Sequence, residues 1–447
     1  MTVSRPRLKQ IFRELLEDSI RKPTPAMTTR TVHGRIHFPG KVSAVVGVRR
    51  AGKTMFLQQL RSAKLRDGTP QRLLPFVSFE DERLADLDAA DLGFLLDEYR
   101  RLFPVSGRET RVTWHFDEIQ LVRGWERFVR RVLETEGDDV IVTGSSAGLL
   151  SQEIATALRG RGWRILLHPF SFEEALRHSR LEVSLDGSGQ TANVGSRMER
   201  AYIDWLRTGG FPEAQGLEAP SRRQLFRDYV DVAIFRDVVE RHVVRNVTGL
   251  RWLVRQLLGN AGSLFSVEKF HRTLKSQGIA ISKDSVHQML GYLDDCFLVR
   301  VIWMESTSER QRMVNPRKSY PVDTGLIPIF DRTGRANLGH ALETAVLVEL
   351  ERRGCEITYV RTREGFEVDF LARGLGGEAT LIQVCTDLSD PATAEREIRA
   401  LQAAGAETPE ASKLVLTLAA DGFPQEVPAG VSVQTAWEWS LSMPEAP

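Results

Sequence analysis

Residues 42–46 are a mostly apolar, β-branched run that stops at a glycine, and such a run predicts a strand buried on both faces. Leu8, Ile11, Phe12, Leu15 and Leu16 recur at helical spacing and predict an amphipathic helix over 7–20, followed by a polar linker. Met55, Phe56, Leu57 and Leu60 repeat that spacing just after Gly52. Apolar runs at 73–79, 112–116, 140–143 and 164–167 predict four more strands, with helices expected at 84–103 and 151–158. Strands alternating with helices point to an α/β fold, a parallel sheet with helices on both faces.

The pattern changes after residue 180. A helix with Tyr202, Trp205 and Leu206 inward is expected over 198–215, ending at Gly209-Gly210, and a charged helix over 228–244. Ser266 and Ser282 each precede a helical pattern, the first with Val267, Phe270 and Leu274, the second with Val286, Met289, Leu290 and Leu293. An apolar run follows over 297–304. Helix, short turn, helix and strand is the layout of a winged helix, which sets its second helix in a major groove. The outward positions Arg272, Lys275, Lys283, His287 and Gln288 are therefore the expected DNA contacts. The last stretch predicts a helix over 338–353, three strands at 357–361, 366–372 and 381–385, a helix over 392–404 and a strand at 414–418.

Composition narrows the class. The 447 residues exceed one ordinary core, and 42% hydrophobic with 27% charged residues is the balance of a globular protein. No apolar run reaches the ~18 residues of a membrane span. Cys296, Cys355 and Cys385 are odd in number and widely spaced. With an N-terminus that lacks a continuous apolar segment, they lead to the expectation of a reducing cytoplasm, without disulfide or zinc framework. The net charge is only +1, yet residues 243–322 hold 12 Lys and Arg against 6 Asp and Glu, the place for a polyanion to land.

The chemistry lies between the first strand and its helix. Gly47, Val48, Arg49, Arg50, Ala51, Gly52, Lys53 and Thr54 match the phosphate-binding G-x-x-x-x-G-K-[ST] loop, and Met55 continues into the helix. Glycines let backbone N–H groups cradle phosphate at a helix N-terminus. Lys53 is expected on the β- and γ-phosphates of ATP, and Thr54 on Mg²⁺. The strand at 112–116 ends in Asp117-Glu118, where the first acid is expected to hold Mg²⁺ and the second to polarise the attacking water. Ser145, at the tip of the strand at 140–143, is placed to orient that water or to cap the next helix.

GVRRAGKT, HFDEIQ, VTGSSAGLLSQEI and LRGRGWRILLHPFSFEEAL together resemble an AAA+-type P-loop ATPase, over residues 41–176. More closely, the chain is similar to the archaeal–bacterial ATPases with a conserved C-terminal region. The resemblance implies an arginine between the fourth and fifth strands that enters a neighbouring subunit's site, Arg161 first and Arg159 second, and hence a homo-oligomer, with a ring among the closed arrangements. The Gly-Gly-Phe-Pro-Glu run at 209–213 resembles the same family's lid. The last stretch resembles the restriction-endonuclease-like fold, which gathers Mg²⁺ with a helix glutamate, a second-strand aspartate and a third-strand E-x-K. Glu343 and Asp369 match, but Gln383 and Cys385 stand where the acid and the lysine belong.

The expected divisions are an N-terminal helix and linker (1–35), ATPase core (36–180), helical lid (181–242), winged helix (243–336) and a nuclease-fold domain without cleavage (337–447). The expected function is a cytoplasmic, membrane-free ATPase acting on DNA, with branched DNA one substrate the resemblance implies. A nucleotide-gated switch binding a protein partner and an ATP-regulated nuclease are the alternatives.

Overall fold

In the computed structural model, β1 (Val42–Val46) is buried at every residue, as a two-sided apolar strand must be. The structure describes residues 4–104, 111–144, 160–181, 191–331, 337–420, 423 and 426–442. They divide into two compact units, 1–167 and 168–447.

In the first unit β1 sits between β4 (Asp139–Gly144) and β5 (Gly162–Leu166), and β3 (Thr113–Asp117) and β2 (Phe76–Ser78) continue the sheet beyond β4. All these pairings are parallel, in the order β2-β3-β4-β1-β5. One layer of core packs the helices Arg5–Arg21 and Leu92–Leu102 with Trp114, Phe116 and Val142. A second packs Phe56 and Leu57 of the helix Lys53–Arg66 against Val45, Ile141 and Ile165.

Two expected elements are shorter than their apolar runs. The strand expected over 73–79 is Phe76–Ser78, because Gln71–Leu73 is a 3₁₀ turn. The helix expected over 84–103 begins at Leu92. Leu84 and Leu87 are buried, but the Asp88 carboxylate accepts from the N–H of Ala90 at 2.8 Å and of Asp91 at 3.3 Å, a local turn that competes with helix. The helix expected over 151–158 lies outside the described residues.

In the second unit the segment Phe172–His178 packs Phe172 and Leu176 beside Tyr202 and Leu206 of the helix Thr191–Thr208. The charged helix starts earlier than expected, at Ala219, and from Ala233 to Glu240 winds as a π-helix. Then come the helix Val247–Leu258, β6 (Leu264–Phe265), the helices Val267–Ser276 and Lys283–Asp295, β7 (Val299–Met304) and β8 (Arg317–Pro321). β8 pairs antiparallel with both β6 and β7.

That small sheet does not stop at residue 337. β9 (Glu356–Arg361) pairs parallel with β7 through Trp303↔Thr358 and Met304↔Tyr359. β10 (Glu367–Arg373), β11 (Ala379–Val384), β12 (Ser412–Thr417) and β13 (Val431–Thr435) complete one eight-stranded sheet, in the order β13-β12-β11-β10-β9-β7-β8-β6. The helix Leu338–Arg352 packs on it with Leu342, Val346 and Leu350 inward. Among the described residues no helix is long and apolar enough to cross a membrane.

Candidate phosphate-binding site and the C-terminal cluster

The chain leaves β1 at Gly47 and turns into the helix Lys53–Arg66 at the carboxyl edge of the first sheet. Gly47 has φ +149°, and a Cβ there would lie 2.0 Å from the Leu167 carbonyl oxygen, so only glycine fits. Arg50 and Gly52 are also left-handed, at φ 66° and 94°. Lys53 is buried, its ammonium donating to the carbonyls of Gly47 at 3.2 Å and Val48 at 3.1 Å, and lying 3.9 Å from Glu118 Oε1. The preceding linker takes part as well. Buried Arg30 donates through Nη1 to the Ala51 carbonyl at 2.7 Å, and Gln59 bonds both the N–H and the C=O of Arg30.

Asp117, at the tip of β3, is where the site converges. The Thr54 hydroxyl donates to both carboxylate oxygens at 3.1 Å, Thr143 to Oδ1 at 2.8 Å and Ser78 to Oδ2 at 3.2 Å. Burial pushes the Asp117 carboxyl from its ordinary 3.8 up to about 6; the Thr143 bond works against that, and the Glu118 charge adds to it. Glu118 adopts φ +51°, its N–H donates to Thr143 Oγ1 at 2.8 Å, and the Gln120 amide donates to its carboxylate.

Thr143 thus holds both acids from β4, the strand between the P-loop strand and the acidic one. Ser145, expected at the strand tip, lies outside the described residues, and the hydroxyls at the acids are those of Thr143 and Ser78, which were not expected there. The signal was present, since each is a hydroxyl at the end of an apolar strand run. Arg161 lies at the other end of the sheet, beside the start of β1, where its carbonyl accepts from the Val42 N–H. Its guanidinium pairs with Glu134 at 2.6 Å. Arg159 lies outside the described residues.

Arg272, Lys275, Lys283, His287 and Gln288 are all exposed on the two helices that follow β6. Lys283 is ion-paired with Glu268 across those helices. Burial and the nearby Arg317 charge hold the His287 imidazole below its ordinary value.

A buried cation stands beside the C-terminal acids. Lys318 of β8 is 2% exposed, and its ammonium lies 3.2 Å from Glu343, 3.0 Å from Asp369 and 2.9 Å from Glu367. The Tyr320 hydroxyl donates to Glu343 at 2.6 Å. Gly262, at φ +73°, closes over Glu343, for a Cβ there would lie 2.5 Å from Oε2. Burial, reinforced by Asp369, pushes the Glu343 carboxyl up to about 7 from 4.5, with Lys318 and Tyr320 opposing. Gln383 accepts from the Asp369 N–H at 3.3 Å and donates to Glu397 at 2.6 Å. Cys385 turns away, its thiol donating to the Asp387 carbonyl at 3.1 Å.

Residues 39–176 match the AAA domain family, and 199–335 match a domain of unknown function. An uncharacterized protein of Methanocaldococcus jannaschii is 31% identical over 451 residues, 97% of this chain and 96% of the relative. The chain belongs to that protein's family and carries an AAA-type P-loop domain. Another uncharacterized protein, of Haemophilus influenzae, is 28% identical to this AAA-domain chain over 78% of it and 83% of the relative. Among solved structures, the Walker-type ATPase of Pyrococcus abyssi aligns over 74% of the chain and 96% of its own length, at 14% identity and TM-score 0.40. The Aeropyrum pernix ORC1 protein in complex with DNA aligns over 74% and 92%, at 14% identity and TM-score 0.26.

Proposed function

We propose that this AAA-domain protein hydrolyses ATP and acts on DNA. The observation that carries the first half is the Thr54–Asp117 contact at 3.1 Å, which joins the P-loop hydroxyl to a strand-tip carboxylate 63 residues away. A hydroxyl and a carboxylate are the hard oxygen donors that suit Mg²⁺, and Asp117, held near 6, ionises at neutral pH. Thr54 and Asp117 would hold the ion, which supplies charge neutralisation at the phosphates when bound. Lys53 and the 47–54 backbone orient the triphosphate, and Glu118, held by Gln120 and Thr143, takes a proton from the attacking water. Arg161 does not reach its own subunit's site. Its role is in trans, in a homo-oligomer whose assembly exchanges the Glu134 pair for a neighbour's γ-phosphate.

The order helix, strand, helix, helix, strand over 247–304, with β8 returning antiparallel on β7 after the short helix Glu309–Val314, supports the winged-helix reading, and the exposure of Arg272, Lys275, His287 and Gln288 supports contact with DNA. The nuclease-fold domain cuts nothing in this reading. Its lysine is present, supplied by β8, but the ammonium is held within 3.2 Å of Glu343, Glu367 and Asp369 under a covering backbone. The test is ATP turnover with single-stranded, duplex and four-way-junction DNA, each reaction also read for cleavage products with Mg²⁺ and Mn²⁺. Stimulated turnover is expected, lost in Glu118→Gln with ATP still bound, and reduced about 10³-fold in Arg161→Ala. Wild-type turnover in Glu118→Gln would remove the base, unstimulated turnover the DNA half, and cleavage that vanishes in Asp369→Ala the inert assignment.

A further inference from the structure

The arginines of the second unit are concentrated away from the expected DNA-reading helices. Residues 219–258 hold eight arginines, no lysine and four acidic residues. Arg227 of the helix Ala219–Val232 and Arg251 and Arg255 of the helix Val247–Leu258 line a groove of about 860 Å³. Val230, Ile234 and Val254 contribute apolar lining. Two aromatic rings are left open beside the guanidinium groups, Trp252 at 40% exposure and Phe235 at 38%. Arg255 lies over the Trp252 ring at 5.9 Å and Arg251 over Phe235 at 5.3 Å. Phe235 stands in the π-helical stretch Ala233–Glu240, a winding that is frequent at functional sites.

We propose that this groove binds single-stranded nucleic acid. The proposal rests on the DNA half of the reading above and moves the principal contact from the helix Lys283–Asp295 to the groove. Arginine is the residue that both grips a phosphate with two donors and stacks on a flat ring. Exposed aromatic faces interleaved with arginines are a platform for unpaired bases, whereas a duplex keeps its base faces covered and an acidic peptide has none to offer. The groove carries its own acid in Asp231, 4.0 Å from Arg251, and Asp331 at the rim, so the three arginines leave one net positive charge on the lining. The helix face has no less charge, since Arg272, Lys275 and Lys283 against Glu268 and Asp284 also leave one positive charge, but its phenylalanine, Phe270, is buried and offers no ring for a base.

The experiment measures fluorescence anisotropy of labelled oligo-dT, oligo-U and duplex DNA, roughly 20 nucleotides long to span a typical single-strand site, with the full-length protein. Wild type should bind the single strands more tightly than the duplex. The pair Arg251→Ala with Arg255→Ala should raise Kd at least ~10-fold and lower the salt slope by about 0.7 for each lost phosphate contact. Trp252→Ala should raise Kd by ~10-fold through lost stacking, and Trp252→Tyr should recover most of it. All these side chains are exposed, so unchanged melting temperatures and ATP affinity certify folded variants. Groove variants that bind as wild type, while Lys275→Ala with Lys283→Ala lose binding, would overturn the groove and leave the DNA reading intact. Displacement by poly-glutamate at equal charge would show a generic anion surface and overturn it as well. Absence of any nucleic-acid binding by wild type would overturn both.

Discussion

Thr143 shows how much one hydroxyl can hold. It donates to Asp117 and accepts from the Glu118 N–H, so two acids with different tasks share one anchor. Thr143→Val keeps the shape and leaves a buried N–H without its acceptor, a loss of ~1–3 kcal/mol. Turnover should fall ten- to a hundredfold, by order of magnitude, while ATP affinity stays near wild type, because the loop that grips phosphate does not touch this hydroxyl. Thr143→Ser should restore turnover. Equal kcat in Thr143→Val and wild type would leave the hydroxyl a bystander. At this scale the sequence was legible for residues whose spacing is fixed along the chain, such as Gly47, Lys53 and Thr54. It was silent on Arg30 and Lys318, whose partners are brought together only by linker path and strand order.

Among elements, long strands stood out best. β1, β3 and β4 lie within a residue of their apolar runs, because a strand buried on both faces is apolar over most of its length, with Ser43 and His115 as buried exceptions inside β1 and β3. Short or locally diverted elements did not. β2 and the start of the helix Leu92–Leu102 were overwritten by turns, and β8 and β13 passed unread, as polar residues interrupt both. The cost of missing β8 was the cation of the C-terminal cluster. There Glu343 keeps its proton up to about 7 in the folded chain, against an ordinary 4.5, so folding takes up a proton between those values. The stability it contributes is present below pH 4.5 and is lost as pH rises through 7. Glu343→Gln keeps a neutral hydrogen-bonding group and cannot titrate. Its melting temperature should therefore change less than wild type's between about pH 5 and pH 8, a difference on the order of 2 kcal/mol across the window. Parallel melting curves for the two proteins would show that the proton sits elsewhere.

For the whole molecule, the eight-stranded sheet matters most. Two residue pairs between β7 and β9 and the bonds from Lys318 to Glu343 and Asp369 stitch the part of the sheet before residue 337 to the part after it. A protease site engineered into residues 332–336 should therefore yield two fragments that still co-elute in gel filtration. They should part only in denaturant or when Lys318→Ala is added. Spontaneous separation after cleavage would mean that the seam contributes little.

The same seam bears on how such a chain can be inherited. A gene truncated before β9 would leave β7 with a bare flank, and one beginning at β9 would expose the other, each an open invitation to cross-pairing with a second copy. Selection against clumping then acts on the pair. The two halves can diverge in their sites, yet the loss of either one alone uncovers a strand edge on the other.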